Sequence, residues 1–261
     1  MLKIGLVIVV LGIIGVFVLF HQTSTKPKTD SIFTGENLLV GSQGGLRNDK
    51  VETQKSTPSP QNSDEPPLKL KNIGINFSDF KFTKEKLQFG KPFMEYGFYI
   101  PGDSAHPAKN NPQPTFVVPL GTPVRSLVDG IVANIGTVWS GDYSIQVTAN
   151  GQIQKWIYET EHVLNPKVKV GDKVTAGQIV GEVSTFSQAP PGYGTVEIGI
   201  LKGGNPPFHV CPFLYLDDSI KEETLSKIKA FFKSWEDYIG DQSLYPDTTV
   251  PGCLTPDPIA G

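Results

Sequence analysis

The sequence predicts a mainly β protein: an antiparallel β-sandwich or barrel with an N-terminal transmembrane helix and a C-terminal amphipathic helix. The first observation is the segment 168–183 (VKVGDKVTAGQIVGEV), in which short apolar runs alternate with Gly-Asp and Gly-Gln turns. The second is a similar phrase, PLGTPV at 119–124 followed by VDGIV at 128–132. Glycine accepts positive φ and aspartate hydrogen-bonds its own backbone, so Gly-Asp favours a tight turn. Short strands joined by such turns are typical of compact sandwiches and barrels.

Strand periodicity recurs through the middle of the chain. The apolar residues of 70–82 alternate with polar ones around Ile73, Ile75 and Phe77, which predicts extended structure. The same criterion predicts strands over 115–118, 123–127, 131–138, 143–148, 153–158, 167–170, 179–184 and 195–201. Many short strands at this spacing define an all-β domain, which we place at residues 71–216.

A helix is predicted to follow the β domain, over residues 217–240. Ser219 and Glu222 match a capping box, and Gly240 is placed to end the helix. Apolar residues recur at three- and four-residue spacing, namely at Leu225, Ile228, Phe232, Trp235 and Ile239. An isolated helix of this length is marginal in water, so we expect its apolar stripe to pack on the β domain. Residues 241–261 form a turn-rich tail.

The N-terminal residues 1–22 are predicted to be a membrane anchor. Residues 4–20 are an uninterrupted apolar run of 17 residues, at the lower limit for crossing a bilayer. A cleaved secretory signal is the alternative, but bulky residues stand where a signal peptidase requires small ones. Residues 23–70 are rich in Ser, Thr, Asn, Gln and Pro, which is typical of a disordered linker.

Composition excludes one class of partner. The chain is 38% hydrophobic and 19% charged, with a net charge of −3, as in ordinary soluble domains. Because there is no basic excess, the sequence argues against nucleic acid as a partner.

The order of these motifs resembles that of the lysostaphin/LytM-type zinc peptidases of peptidoglycan, which share the duplicated hybrid motif. The resemblance covers roughly residues 90–216. It is carried by the phrases at 119–124, 128–132 and 168–181, and then by KGGN at 202–205 and PFLYL at 212–216. It implies the β architecture stated above and a groove that holds a zinc-dependent site.

The resemblance also implies where the zinc ligands should stand. Active members bind zinc through an H-x-x-x-D pattern and the second histidine of an H-x-H pattern, which leaves the fourth position open for water. Counting from Pro119, the first pair falls on Asn111 and Thr115. The H-x-H positions fall on Thr195 and Glu197, so a glutamate replaces the third ligand.

One family position is kept. His162 stands nine residues before Gly171, where the resemblance places a histidine that assists the metal-bound water. Thr195 replaces the other assisting histidine. The residual catalytic positions are therefore His162 and Thr195, and the candidate groove residues are Asn111, Thr115, His162, Thr195 and Glu197. A degenerate member without a zinc cofactor is the expectation.

A rearranged metal site is the alternative within the same family. Glu197 is a competent metal ligand, and His209 and Cys211 are nearby in sequence. Asp103 and His106 form another pair, but they stand too far from Pro119 to match the family pattern.

Lipoyl and biotinyl carrier domains share the same β architecture. They present a modifiable lysine within Asp-Lys-Ala or Met-Lys-Met, and neither tripeptide occurs in this sequence. The carrier interpretation is therefore disfavoured.

Three functions remain open from the sequence. The first is a degenerate LytM-like envelope domain that binds peptidoglycan or regulates cell-wall hydrolases, on the outer side of a bacterial cytoplasmic membrane with a single membrane pass. The second is a divergent active metalloendopeptidase that uses zinc. The third is a structural envelope spacer. Fold alone does not choose among them.

The two cysteines are predicted to pair. Cys211 ends the β domain and Cys253 lies in the tail, beyond the helix. An even number of cysteines in an exported chain favours a disulfide, with free buried thiols as the alternative.

Overall fold

The computed structural model describes residues 65–104, 107–185, 189–203 and 206–260. Within them the strands are β1 Phe93–Met94, β2 Tyr99–Ile100, β3 Lys109–Asn110, β4 Thr115–Pro119, β5 Pro123–Arg125, β6 Gly130–Thr137, β7 Tyr143–Thr148, β8 Trp156–Leu164, β9 Lys173–Val174, β10 Ile179–Val183, β11 Tyr193–Lys202, β12 Phe208–Val210 and β13 Ile259–Ala260. The α-helix α1 spans Asp218–Ile239, and short 3-10 helices span Phe77–Asp79, Gln88–Gly90 and Pro212–Tyr215.

Eleven of these strands form one sheet, whose main order is β1-β4-β11-β8-β7-β6-β9. Strand β10 pairs with β5 and β8, and β12 lies between β11 and β13. Every pairing between these strands is antiparallel, including the separate hairpin of β2 and β3. The prediction of a mainly antiparallel β domain followed by a helix is confirmed.

The two faces of the central strands differ in chemistry. On β11, the side chains of Val196, Ile198 and Ile200 are completely buried in the main hydrophobic core. Successive residues of a strand point to opposite faces, so Thr195 and Glu197 lie on the other side of the sheet. This alternation places the apolar core on one face and a polar surface on the other.

Helix α1 closes the fold at the β1–β4 end of the sheet. Phe232 packs against Phe93 of β1, with ring centroids 5.1 Å apart. Trp235 is 2% exposed and its indole N–H donates to the carbonyl of Gly90 at 2.8 Å. The helix begins after Asp217, whose side chain accepts from the Ser219 amide, so the capping residue is Asp217 and not Ser219. Gly240 ends the helix in the left-handed conformation, as predicted.

Two predicted strands are absent from the described chain. Residues 167–170 are irregular because their backbone groups bond outside a ladder: Lys167 N–H donates to Val180, and the Lys169 carbonyl accepts from Asp172. The segment 70–82 is also not a strand. Its apolar residues Ile73 and Ile75 are buried, but they pack as an extended segment that leads into the 3-10 helix Phe77–Asp79.

Residues 65–70, inside the segment that we predicted as a linker, pack on the domain. The Trp156 indole N–H donates to the Glu65 carbonyl, and the Tyr158 hydroxyl donates to the Leu68 carbonyl. Leu70 forms a bridge with Leu216. Among the described residues, no helix has both the length and the apolar character needed to cross a membrane. The predicted anchor at 4–20 lies outside the described residues.

A disulfide joins Cys211 to Cys253, with the two Cα atoms 6.0 Å apart, and the predicted pairing is confirmed. The tail is held on both sides of Cys253. The Tyr96 N–H donates to Gly252, and Leu254 N–H donates to Tyr96. The chain then adds β13 to the edge of β12, so the tail is part of the fold.

Candidate functional site

The polar face of the sheet gathers the site at the junction of β4, β11 and β8. Glu197 on β11 lies opposite Thr115 of β4 on one side and opposite Glu161 of β8 on the other. Directly opposed residues on antiparallel strands point to the same face. The register therefore aligns these three side chains in a row across the sheet.

The three positions that correspond to zinc ligands come together in space. Asn111 Nδ2 donates to the Thr115 hydroxyl at 3.4 Å and to the Glu95 carbonyl at 3.2 Å. Thr115 Oγ1 lies 3.2 Å from Glu197 Oε1 and donates to it. Thr195 lies on the same face, two residues before Glu197, and is buried. The structure thus brings together Asn111, Thr115, Thr195 and Glu197, as the sequence comparison with the family implied.

A β-bulge in β8 adds His162 to this face. Thr160 pairs with Ile145 and Val163 pairs with Tyr143, so Glu161 and His162 together oppose the single residue Ser144. His162 has φ of +59°, which is uncommon for a residue with a side chain. A bulge of this kind redirects a side chain, and strained backbone of this type clusters at functional sites.

The hairpin between β6 and β7 supplies hydrogen-bond partners for the imidazole of His162. Its Nδ1 lies 3.2 Å from both carboxylate oxygens of Asp142 and 3.1 Å from the Ser140 hydroxyl. The Ser140 hydroxyl also donates to Asp142 Oδ1 at 2.6 Å. Serine and aspartate contact the same ring nitrogen, whereas a catalytic triad needs them on opposite nitrogens. The cluster therefore orients the imidazole and does not form a serine nucleophile.

Two further carboxylates lie on this face, and the sequence analysis missed both. Glu159 is 3% exposed and Glu161 is partly buried. Gln113 and Gln146 donate to Glu159 at 3.0 and 3.1 Å, and Ser144 donates at 3.3 Å. The alternation of Glu159 and Glu161 just before His162 was the available signal, since both would share one face of a strand.

Burial governs the protonation of these glutamates. Desolvation raises the pKa of Glu159, and the charges of Glu161 and Glu197 raise it further. Desolvation also raises the pKa of Glu161 and of Glu197, although the nearby His162 opposes the increase at both. A buried carboxyl group holds its proton more tightly because the charged form is poorly solvated. Burial therefore disfavours the simultaneous ionisation of Glu159, Glu161 and Glu197.

The weak metal candidates at the end of the domain do not join this site. His209 on β12 pairs with Leu201 of β11 and is buried, and desolvation lowers its pKa to about 4. Cys211 is in the disulfide, so its sulfur is not a thiolate ligand. Across the described residues, no group of three or more His, Cys, Asp or Glu is arranged to hold a metal ion. His106 lies outside those residues.

The donor set does not fit zinc. An amide nitrogen and a threonine hydroxyl stand where zinc needs an imidazole and a carboxylate, and their hydrogen bonds are directed at each other and at Glu197. Zinc in catalytic sites takes three ligands of the His, Cys, Asp or Glu type. At these three positions only Glu197 offers one.

The part of the chain that carries the site is similar in sequence to known proteins. Residues 114–206 match the family model described as Peptidase family M23. The glycyl-glycine endopeptidase ALE-1 of Staphylococcus capitis is 39% identical over 78 residues, which are 29% of this chain and 21% of that protein. The match thus spans about a fifth of the length of this curated relative.

Two solved structures are also similar. One is the catalytic domain of a point mutant of the prophage-encoded M23 protein EnpA from Enterococcus faecalis, with 28% identity and a TM-score of 0.36 over 48% of this chain and 93% of that one. The other is the catalytic domain of lysostaphin from Staphylococcus simulans, with 23% identity and a TM-score of 0.34 over 42% of this chain and 78% of that one.

Proposed function

We propose that the chain is a membrane-anchored cell-envelope protein that binds peptidoglycan without zinc-dependent hydrolysis. The proposal starts from the match of residues 114–206 to the model of peptidase family M23. The relation of this family to peptidoglycan hydrolases supports the choice of ligand. The absence of a fitting donor set at the family's ligand positions supports the choice of binding over catalysis.

One observation carries the proposal. The hydrogen-bonded set of Asn111, Thr115 and Glu197 occupies the positions of the family's metal ligands. In this arrangement the Asn111 amide and the Thr115 hydroxyl are each satisfied by protein partners. A metal ion would gain one carboxylate and no imidazole, so the three positions offer little affinity for zinc.

The same face retains groups that suit a peptide ligand. The residues Glu161 and Glu197 are only partly buried, and we propose that a ligand reaches both side chains from the polar face. Peptide N–H groups and amines are donors, and a carboxylate accepts from them in short, charge-assisted hydrogen bonds. The hydrogen bonds between His162 and Asp142 hold the imidazole beside these carboxylates, which reduces the entropy lost on binding.

The anchor and the linker define where this binding would take place. The apolar run at 4–20 supports a single membrane pass, and the polar residues that follow support a tether to the outer side of the cytoplasmic membrane. A tethered domain binds the wall at a high local concentration. A cell-wall hydrolase is the second partner class that this location favours.

The test is co-sedimentation of the full-length chain, purified in detergent, with insoluble peptidoglycan. We expect the wild type to pellet with peptidoglycan and the double substitution Glu161→Gln with Glu197→Gln to pellet less. Glu222→Gln, an exposed site on α1, is the matched control and should behave as wild type. Release of soluble wall fragments is measured in the same samples with zinc and with a chelator.

Two results would contradict the proposal. The first is the absence of pelleting by the folded wild type. The second is release of wall fragments that zinc stimulates and a chelator abolishes, which would instead support the divergent metalloendopeptidase.

A further inference from the structure

The hairpin between β6 and β7 presents a tryptophan to solvent beside the site. Trp139 is 81% exposed, more than any other large hydrophobic side chain in the described chain. The two other tryptophans, Trp156 and Trp235, are 6% and 2% exposed. A tryptophan gains most of its stabilising free energy from burial, so this indole contributes little to folding.

This indole lies beside the site, on a turn that is hydrogen-bonded to it. Its ring lies edge to face against His162, with centroids 6.4 Å apart and an interplanar angle of 84°. The turn that carries it is closed by Val138 N–H donating to Asp142 and by Gly141 N–H donating to Val138, each at 2.9 Å. Gly141 takes φ of +85°, which the turn requires. Asp142 then ties the turn to His162.

An exposed indole on a hydrogen-bonded turn is the arrangement expected of a ligand platform. Tryptophan is enriched at binding hot spots, where its flat, rigid surface supplies contact area with little loss of conformational entropy. A flexible loop would forfeit this advantage because its ordering on binding costs entropy. The hydrogen bonds between the hairpin and His162 provide that order before any ligand arrives.

We propose that Trp139 is a stacking platform for a sugar ring of peptidoglycan, placed so that the peptide attached to the glycan runs over the polar face beside it. The face of an aromatic ring is electron-rich, and the C–H groups on one side of a pyranose carry partial positive charge. The adjoining residue Ser140 is exposed, but its hydroxyl donates to Asp142, so the main contribution to a stacked sugar comes from the indole face.

The adjacency of Trp139 to the row of carboxylates supports a sugar subsite at Trp139 and a peptide subsite beside it. Trp139 borders His162, and His162 follows Glu161 in the same bulge, so the platform and the carboxylate row are adjacent. Glu161 opposes Glu197 across β8 and β11. This inference rests on the proposed function, because it names the part of peptidoglycan that one edge of the site would hold.

The first test uses tryptophan fluorescence of the full-length chain in a detergent without a sugar headgroup. The probe is a soluble N-acetylglucosamine oligomer of the chitin type, added in increasing concentration. Since the other two tryptophans are buried, we expect the sugar oligomer to cause a saturable change in the fluorescence of Trp139. Trp139→Ala and Trp139→Phe both lack this indole, so neither variant should show the change. A short glycine peptide with a free amine, added instead, should leave the fluorescence unchanged.

The second test compares binding to whole peptidoglycan. Trp139→Ala should weaken co-sedimentation roughly three- to tenfold, and Trp139→Phe should restore most of it because stacking needs only an aromatic face. Phe208→Ala is the matched control: Phe208 is 45% exposed and pairs with Lys202, on the sheet face opposite Glu197.

The outcomes separate the two proposals. If the wild type binds peptidoglycan and Trp139→Ala binds equally well, the sugar platform is wrong and the proposed function stands. A fluorescence response to the glycine peptide but not to the sugar oligomer also overturns the platform. If the wild type fails to bind peptidoglycan but responds saturably to the sugar oligomer through Trp139, the proposed function fails and sugar recognition stands.

Discussion

The Thr115 hydroxyl lies 3.2 Å from Oε1 of Glu197, across the pair of strands β4 and β11. The resemblance in sequence implies that these positions correspond to an aspartate and a histidine that bind the metal in active members of the family. In this chain the two side chains are hydrogen-bonded to each other.

The convergence of these positions predicts that a metal site can be restored. The triple substitution Asn111→His, Thr115→Asp and Glu197→His places three competent ligands on one face, and we expect it to retain zinc after dialysis. Metal analysis of the folded protein measures the stoichiometry. The matched control is the double substitution at Asn111 and Thr115 alone, which should retain less. A folded triple variant without zinc would show that the three positions do not meet closely enough.

The glutamates of the site predict a pH-dependent stability. Desolvation raises the pKa of Glu159 above its ordinary value of 4.5, so the folded state binds that proton more tightly than the unfolded state. The contribution of Glu159 is fully present below about pH 4.5 and is lost as the pH rises through the folded-state pKa. Each pKa unit corresponds to about 1.4 kcal/mol.

Glu159→Gln should remove this dependence. Its melting temperature relative to wild type should rise between about pH 5 and pH 8, because the glutamine needs no proton to stay neutral. Thermal unfolding across that range measures the difference, with the exposed Glu222→Gln as control. A constant difference across the range would mean that Glu159 titrates as an ordinary carboxyl.

The disulfide predicts a large loss of stability on reduction. Cys211 and Cys253 are separated by 42 residues, and the chain-entropy estimate for a loop of that size is roughly 4 kcal/mol. The loop contains the whole of α1, so the double substitution of both cysteines by alanine should lower the melting temperature and loosen the tail. Thermal unfolding with and without reductant compares the two forms. Mass spectrometry of unreduced, alkylated protein should find neither cysteine alkylated.

The apolar run at 4–20 predicts that the chain fractionates with membranes. Deletion of residues 1–22 should release it into the soluble fraction, because the linker that follows is polar. Protease added to spheroplasts should remove the domain from the intact protein. Full protection from protease would show that the domain faces the cytoplasm.

Local patterns were sufficient for most of the fold. The alternation on β7 and β11 predicted those strands, because one face of each packs in the core and the other carries polar residues. Gly240 predicted the end of α1, since glycine adopts the left-handed conformation found there. The distances from Pro119 and Gly171 predicted Asn111, Thr115 and His162 as site residues, and the structure places Asn111 in contact with Thr115.

Non-local contacts decided the rest. Residues 167–170 alternate like a strand, but their backbone partners lie in the adjoining turn and in β10, and a ladder needs a neighbouring strand in register. Glu159 and Glu161 became part of the site only through the register with Gly199 and Glu197 on β11. The bulge that turns His162 toward them depends on the pairing with β7.

The sequence by itself determined the β class, the helix and the disulfide, since these depend on residue type and spacing. Only the tertiary structure decided which carboxylates face the site and how Trp139 stands beside it, because both follow from the pairing of strands far apart in the chain.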